Sequence, residues 1–303
     1  MMLVLLASAC TSPLPKSGGK PYDVTVVSND KLGGGIVVNE LSKCTEVFTS
    51  EEDMFSISFS TGYGEDDIIR LARTLVIVDT ADVENTVAVR ETNVWAHPQL
   101  VLYVTTPSAK QLAKDMPQLR ELFAKEINAF ERDLLVKDIE RHSNMQLTDS
   151  VMKYTGTEMC VPARMKVASA DSNFIWLTEN SGDENHSLCV YRTHKDSVDV
   201  TLMESVTAFR NRMMERHVKG AADSIHFDIV IGTEHAETSN DTVIVRNRWE
   251  MTGDAMGGPS VCRIIERNDS VIFAEAFVYA PASKKRNKMR RAEACLFTIK
   301  TNK

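Results

Sequence analysis

The chain has 303 residues, of which 43% are hydrophobic and 25% charged, a composition typical of a globular protein with enough apolar material for one large core or two modest cores. Its 35 Lys and Arg residues stand against 42 Asp and Glu, and the formal net charge of -7 argues against nucleic acid as a partner, because phosphates repel an acidic surface. No apolar run approaches the roughly 20 residues of a membrane-spanning helix, so any membrane attachment is predicted at the N-terminus.

The first residues predict an export signal that ends in a lipid-modified cysteine. Residues 2–9 form a short apolar run that leads directly into Cys10. Ala7, Ser8 and Ala9 resemble the lipobox of bacterial lipoproteins, whose cysteine carries several acyl chains that anchor the protein stably. No Lys or Arg precedes the run, and Ala7 stands where the lipobox usually has Leu. An apolar N-terminus that packs on the domain is therefore the alternative.

Residues 11–20 contain two Pro, two Gly and two Ser, which predicts a flexible tether with a reach of about 17 Å. No acidic cluster follows Cys10, whereas lipoproteins of some Gram-negative bacteria use such a cluster for surface export. We therefore expect a cell-envelope protein of the outer or inner membrane that faces the periplasm.

Five cysteines remain after Cys10, an odd number in a compartment that permits disulfides, so at least one is expected to be free. Cys189, Cys262 and Cys295 lie within apolar runs, which predicts buried thiols that act as small hydrophobic side chains. The sequence has no CxxC motif, and its seven histidines show neither HExxH nor paired spacing with acidic residues. We therefore predict neither a metal site nor a cofactor.

The first half, residues 21–145, alternates between strand and helix patterns. Strands are predicted at 23–27, 55–59, 74–79 and 99–105, with a helix at 66–73. Ser108 and Gln111 form a capping box for a further helix, and Pro117 starts or kinks a longer one that ends near Asn144. Its apolar residues at three- and four-residue spacing are predicted to face a sheet, and its charged residues to face water: Leu119, Leu122, Phe123, Ile127, Phe130, Leu134 and Ile139 against Arg120, Glu121, Lys125 and Glu131.

The second half, residues 146–303, predicts strands at 173–177 and 188–191, and then a helix opened by Thr201 with Leu202 in its buried stripe. From His226 the pattern changes to period two, with Val245 and Trp249 on one face. Strands at 261–267 and 271–279 form a hairpin, and a basic helix at 283–297 closes the chain. The fold class predicted is α+β: two mixed halves with helices packed on sheets, and an antiparallel meander before the basic helix.

Several segments together resemble the domain-of-unknown-function 4837 family of bacterial lipoproteins. They are residues 248–260 (RWEMTGDAMGGPS), 274–281 (AEAFVYAP), 285–293 (KRNKMRRAE), 19–23 (GKPYD), 73–78 (RTLVIV), 95–99 (WAHPQ) and 173–176 (NFIW). The resemblance implies lipid anchoring at Cys10 and supplies no activity. Between residues 32 and 55 the chain departs from the family pattern, because three glycines at 33–35 stand where relatives have a Trp and a Leu-Pro-Gln turn.

Those three glycines follow a predicted strand and allow two interpretations. A dinucleotide-binding loop would need a further glycine where Val38 stands, and no Lys-Ser or Lys-Thr follows for a phosphate loop. A flexible turn is the favoured alternative. No Gly-x-Ser-x-Gly motif is present for a nucleophilic serine either.

The strongest candidate site combines Arg248, Glu250, Asp254 and Glu275 beside a Gly-Gly-Pro turn at 257–259. Arg248 and Glu250 share a strand face, and hairpin pairing is expected to bring Glu275 near them. Such a cluster would bind a polar ligand or carry out acid-base chemistry, because neighbouring carboxylates shift each other's pKa values. The alternative, which we favour, is a ladder of ion pairs on a solvated sheet face.

A second candidate is the basic run at 284–291. On a helix, Arg286 and Arg290 lie one turn apart and are placed to clamp a phosphate or carboxylate, or to lie against anionic lipid. A solvated helix face is the favoured alternative.

Two functions follow from these patterns. The first is a non-catalytic envelope module, tethered to the membrane through Cys10, that binds an envelope protein, a glycan or a lipid through the face of the β-meander or through the basic helix. The second is a hydrolase of an envelope polymer that uses Glu250, Asp254 or Glu275 as acid and base. Carboxylates that converge in one pocket favour the hydrolase, and carboxylates spread over a sheet favour the binding module.

Overall fold

The computed structural model describes residues 13–45, 52–62, 67–220, 222, 224–239 and 242–300. Cys10 lies outside this part of the chain. Six α-helices and thirteen strands in two sheets are described, which confirms the predicted α+β class. None of the described helices combines the length and the apolar character needed to cross a membrane.

The chain forms two compact units. Unit 1 takes in described residues within 1–44 and 55–130, and unit 2 takes in those within 45–54 and 131–303.

Unit 1 is built on a five-stranded sheet with the order β2-β1-β3-β5-β4. β1, β2, β3 and β5 run parallel, and β4 pairs antiparallel with β5 at one edge. The apolar runs predicted β1, β3 and β5, whereas the mostly exposed β4 was not predicted. The strands are β1 (Asp23–Val27), β2 (Ser56–Ser60), β3 (Thr74–Thr80), β4 (Val87–Thr92) and β5 (Leu100–Thr106).

Three helices belong wholly or partly to unit 1: α1 (Lys31–Leu41), α2 (Asp67–Arg70) and α3 (Ala109–Arg141). α1 begins after Asp30, whose carboxylate accepts from the backbone N–H groups of Leu32 and Gly33 at 2.9 and 3.1 Å. The three glycines therefore lie in the first turns of a helix, and the turn and phosphate-loop interpretations are both wrong. Gly34 allows α1 to approach β2 closely, because a Cβ there would overlap the ring of Phe59.

α3 is continuous through Pro117, so this proline lies inside the helix and does not start it. Phe123, Ile127 and Ile139 are buried as predicted. Two other predictions are wrong, because Leu122 is 46% exposed and Glu131 is fully buried.

The segment that precedes β1 is fixed to unit 1 by backbone hydrogen bonds. Ser17 N donates to His97 O, Gly18 N donates to Leu71 O at 2.8 Å, and Arg73 N donates to Gly18 O at 3.0 Å. The prediction of a flexible tether through residue 20 is therefore wrong for this stretch.

Unit 2 is built on an eight-stranded antiparallel sheet with the order β10-β11-β12-β13-β8-β7-β6, and β9 also pairs with β11. The predicted hairpin between β12 and β13 is confirmed. The strands are β6 (Lys166–Asp171), β7 (Phe174–Ser181), β8 (Glu184–His194), β9 (His226–Ile229), β10 (His235–Ser239), β11 (Thr242–Thr252), β12 (Gly257–Glu266) and β13 (Ser270–Tyr279).

Helices cover both faces of this sheet. Phe209 and Met214 of α5 join an apolar cluster with Phe273, Trp249 and other side chains of one face. The helices α4 and α6 pack on the opposite face. Their bounds are α4 (Met145–Thr155), α5 (Met203–His217) and α6 (Arg286–Leu296).

The start of α5 differs from the prediction. Its N-cap is Leu202, which makes no side-chain capping bond and is 57% exposed, so it does not belong to the buried stripe. Thr201 instead donates its backbone N–H and its hydroxyl to the carboxylate of Asp199. The α4 helix was not predicted, although Asn144 caps its start and Gly156, with φ of 65°, follows its end.

Candidate functional site

The predicted carboxylate cluster does not assemble. Arg248 and Glu250 lie exposed on one face of β11, as predicted, and Asp254 lies exposed in the turn that follows. Glu275 is fully buried on the opposite face. Its cross-strand neighbour Cys262 pairs in turn with Val245, which lies three residues before Arg248 in β11 and therefore on the other face of the sheet. The expectation that the hairpin brings Glu275 to Arg248 and Glu250 is therefore wrong.

Glu275 belongs to a buried polar network beneath α5. Arg210 donates two hydrogen bonds to its carboxylate, from Nε at 3.0 Å and from Nη2 at 2.9 Å. The hydroxyl of Tyr191 donates to the same carboxylate. Arg210 Nη2 also donates to the Oδ1 atom of Asn247 at 3.1 Å, and Asn247 donates in turn to Ser260.

Burial dominates the electrostatics of this network. Burial, together with the negative charge of Glu275, raises the pKa of Tyr191 well above its ordinary value. Burial on its own would lower the pKa of the Arg210 guanidinium, but the charge and hydrogen bonds of Glu275, together with the neighbouring Cys262 and Tyr191, raise it overall. Glu275 is thus the counter-ion of a buried cation and not an acid or base open to a substrate.

The arginines of the basic helix are engaged separately. Arg286 Nη1 donates to Asp53 O at 3.0 Å, while Arg290 lies 3.6 Å from the carboxylate of Glu293. Glu52 occupies the start of α6, where it accepts from the backbone N–H groups of Lys285 and Arg286 at 2.7 and 2.8 Å. The structure does not bring Arg286 and Arg290 together as an anion clamp.

A further polar cluster lies where the chain enters α6, and the sequence did not indicate it. The ammonium of Lys288 donates to Glu184 at 2.8 Å and to the Ser283 hydroxyl at 2.9 Å, and that hydroxyl donates to Glu184 at 2.7 Å. The hydrogen bonds from Lys288 and Ser283 lower the pKa of Glu184. The cluster is thus one ion pair, between Lys288 and Glu184, that the Ser283 hydroxyl bridges.

One feature of the described residues with room for a ligand is an open groove of about 710 Å³ in unit 1, which we call the edge groove. It runs along β1 and β2 on the sheet face opposite to α1. Its lining residues are Lys16, Gly18, Gly19, Asp23, Thr25, Ser56, Ile57, Ser58, Phe59, Ser60, Ile68, Ile69, Leu71, Ala72 and Arg73.

The lining shows how the edge groove is oriented. From β1 it takes only the alternate residues Asp23 and Thr25, which share one sheet face. From β2 it takes all five residues, including Ile57 and Phe59, whose side chains lie on the other face. The groove therefore extends from the hydroxyl-bearing face to the free edge of β2, which ends the strand order of the described sheet.

Hydroxyl groups form the floor of the edge groove, and apolar side chains line its wall. Ser58 donates to the Thr25 hydroxyl at 3.2 Å, and Ser56 and Ser60 flank it on the same face. Ile68, which is 78% exposed, stands at the wall. The alternation of serine with apolar residues at 56–60 was visible in the sequence, but nothing in it showed that β2 is an edge strand.

A buried glutamine joins two chain segments beside the edge groove by hydrogen bonds. Gln99 accepts from the backbone N–H groups of Trp95 and Ala96 at 2.9 and 3.2 Å, and its amide donates to Arg70 O and Ala72 O at 2.6 and 2.8 Å. This side chain ties the stretch before β5 to the wall that precedes β3. The described residues contain no group of three or more His, Cys, Asp or Glu side chains suited to a metal ion.

Comparison with protein families matches two parts of the chain. Residues 144–298 match the model of a family described as a domain of unknown function, DUF4837, and residues 17–140 match that of a second, DUF8532. The chain belongs to the DUF4837 family. This confirms the resemblance drawn from the sequence motifs.

The DUF4837 match contains the buried network and the basic helix, whereas the edge groove lies in the part matched by DUF8532, apart from Lys16. No curated protein matches the sequence. One crystal structure, of a protein from Bacteroides thetaiotaomicron, aligns with this chain at 11% sequence identity and a TM-score of 0.22. The alignment covers 48% of this chain and 45% of the chain of that protein. The alignment thus spans less than half of that protein's length, and a likeness this slight indicates nothing about this chain.

Proposed function

We propose that the protein is a lipid-anchored cell-envelope protein whose edge groove binds an extended segment of a partner protein as an added β-strand, without catalysing a reaction. The observation that carries this proposal is that, within the part of the chain that the structure describes, β2 ends the strand order of its sheet beside the groove. Sheets that present such an edge are templates for strand addition.

The backbone of β2 is suited to this pairing. Ser56 N donates to Tyr22 O at 3.0 Å, and Ser60 O accepts from Ser28 N at 3.1 Å. Alternate residues of a parallel strand bond to the same neighbour, so the N–H and C=O groups of Ile57 and Phe59 point away from β1. The strand carries no charged residue and no proline, the two devices that commonly block an edge.

The charges of the groove favour an acidic partner segment. Lys16, which is exposed, lines it, and among the described lining residues the one carboxylate is that of Asp23, which already accepts from Lys20 N at 2.8 Å. An Asp or Glu side chain on the added strand would complement the positive charge of Lys16.

The proposed anchor supports an envelope partner. Lys16 lies six residues after Cys10, and six extended residues reach at most about 20 Å. A lipid on Cys10 would therefore hold the edge groove close to the membrane, where it would meet segments of other envelope proteins.

The three carboxylates of the hydrolase alternative do not lie together. Glu250 and Asp254 are exposed on a sheet margin, and Glu275 is sealed against Arg210 on the other face. The proposed partner site also moves from the meander and the basic helix to unit 1, because Arg286 and Arg290 already have partners within unit 2.

A displayed library of ten-residue peptides tests the proposal. Peptides selected on the wild-type protein are measured by fluorescence anisotropy against Ile57→Pro, which removes an outward N–H without touching the bonds to β1. We expect selected peptides to be acidic and to bind Ile57→Pro at least about tenfold more weakly, the effect of losing a backbone bond and its alignment.

Charge reversal at Lys16 separates edge pairing from charge attraction. Lys16→Glu should weaken acidic peptides several-fold in a salt-dependent manner, whereas Lys284→Glu, an exposed reversal in unit 2, should leave their affinity unchanged. Circular dichroism confirms that each variant folds. Peptides that bind wild type and Ile57→Pro equally well would refute strand addition.

A further inference from the structure

Two cysteines of unit 2 meet at one threonine hydroxyl. The Oγ1 atom of Thr298 accepts from Cys160 N at 2.9 Å and donates to Cys295 O at 2.6 Å. A single hydroxyl that joins two backbone groups limits the distance between their Cα atoms to roughly 8 Å. Disulfides span about 4.4–6.8 Å between Cα atoms, a range that lies within this limit.

The two thiols differ in their surroundings. The thiol of Cys160 is half-buried, and the neighbouring hydroxyls of Ser143 and Thr298 act to lower its pKa. The thiol of Cys295 is buried in the last turn of α6, 3.6 Å from Arg291 O. It is close enough to Cys160 for the charge of a Cys160 thiolate to raise the pKa of Cys295. Rotation about its Cα–Cβ bond releases it from that carbonyl.

The other described cysteines lack such a neighbour. Cys189 and Cys262 lie on opposite sides of Glu275 in the sheet. Two strand spacings separate them, about 10 Å, which no disulfide spans without backbone movement. Cys44 belongs to unit 1.

We infer that Cys160 and Cys295 form a disulfide bond when the protein meets a disulfide oxidant, which would fasten the stretch before β6 to the end of α6. The thiolate of Cys160 attacks a sulfur of the oxidant, and one oxidant thiol leaves. The thiolate of Cys295 then attacks the Cys160 sulfur of this mixed disulfide and displaces the second thiol. Two electrons and two protons pass from the protein to the oxidant, which is reduced to two thiols.

Burial sets the order and the speed of these steps. Burial raises the pKa of Cys160, although the two hydroxyls partly offset it, and burial raises the pKa of Cys295 to about 12. The more accessible Cys160 is therefore expected to react first. Oxidation should be slow at neutral pH and accelerate as the pH rises, because the thiolate is the attacking form.

Peptide mapping of the full chain tests the inference independently of the edge groove. The reduced protein is treated with oxidised glutathione, quenched with N-ethylmaleimide in denaturant and digested with trypsin. We expect the peptides 154–164 and 292–300, each with one cysteine, to appear joined. The peptides that contain Cys44, Cys189 and Cys262 should carry maleimide.

Single serine variants provide matched controls. Cys160→Ser and Cys295→Ser should each abolish the joined species, whereas Cys189→Ser and Cys44→Ser should retain it. Oxidation should raise the Tm of the wild type by about 5–10 °C and leave Cys160→Ser unchanged. If both peptides carry maleimide after oxidation, or if Cys160 joins another cysteine, the inference is wrong.

Discussion

Arg210 and Glu275 place two opposite charges in the core of unit 2, where neither side chain has any exposed surface. Desolvation of both ions offsets most of their attraction, so the pair adds little net stability compared with apolar residues of similar size. Loss of one partner is a different matter, since it leaves the other charge buried and unpaired. At the scale of the residue, the network is therefore a constraint on what this core tolerates.

Substitution within this pair should be strongly non-additive. Arg210→Met should lower the free energy of unfolding by about 3–5 kcal/mol, because Glu275 then lies buried without its counter-ion. The double variant with Glu275→Leu should recover a large part of that loss. Urea unfolding measures both, and the exposed Glu250→Gln should change stability by less than about 0.5 kcal/mol. Additive losses in the double variant would contradict the assignment.

The same core should make the protein sensitive to alkali. Burial raises the pKa values of Tyr191, Cys189 and Cys262 well above 10.0, 9.0 and 9.0 respectively. Between those ordinary values and the folded ones, the folded state holds protons that the unfolded state has released, so stability falls as the pH rises. The loss should begin near pH 9, with a slope of up to about 1.4 kcal/mol per pH unit for each group.

Urea unfolding at a series of pH values measures this dependence. Cys262→Ala should flatten the slope above about pH 9 and also lower stability at neutral pH through the cavity that it leaves. A free energy of unfolding that is equal at about pH 8 and pH 10.5 would contradict the burial of these groups.

At the scale of the element, the packing of α1 on β2 depends on which glycine of the helix faces the strand. A Cβ at Gly34 would overlap the Phe59 ring, whereas a Cβ at Gly35 would meet nothing within 4 Å. Both residues are helical, so they share the same propensity and differ only in their surroundings.

Two alanine substitutions use this contrast. Gly34→Ala should destabilise unit 1 by about 1–3 kcal/mol, because the ring must move or the helix must shift. Gly35→Ala should be neutral or stabilise by up to about 1 kcal/mol, since alanine is the better helix former. Thermal unfolding of both variants measures the difference, and equal effects would show that α1 does not pack on β2 in this way.

Sequence patterns predicted elements well where burial was one-sided or continuous. The apolar runs of β1, β3 and β5 and the alternation in β11 are confirmed. β4 escaped prediction because an exposed edge strand has no apolar run to mark it. The glycines of α1 concealed a helix, since the close packing that requires Gly34 is a tertiary contact.

The candidate site was less predictable for a related reason. Glu275 lies two residues from both Phe273 and Phe277, so all three share one face of the strand. The position of Glu275 on the core face could therefore be predicted from the two-residue period of a strand. Its partner Arg210, however, comes from a helix that the parity of β13 cannot place. The edge groove depends on the order of parallel strands, which crossover connections decide and local patterns do not contain.

At the scale of the whole molecule, the proposed function joins an anchor at Cys10 to a groove in unit 1. Part of the predicted tether, residues 15–18, is bound to unit 1, so a lipid on Cys10 would be separated from the folded chain by only a few residues. A short link would restrict the height of the edge groove above the membrane and favour partners that lie close to its surface.

Metabolic labelling with an alkynyl palmitate analogue, followed by membrane fractionation, tests this account most directly. We expect the wild type and Cys44→Ser to carry the label and to remain with the membranes, and Cys10→Ala to lose both properties. Equal labelling of Cys10→Ala, or release of unlabelled wild-type protein in soluble form, would contradict the anchor and with it the proposed location of the edge groove.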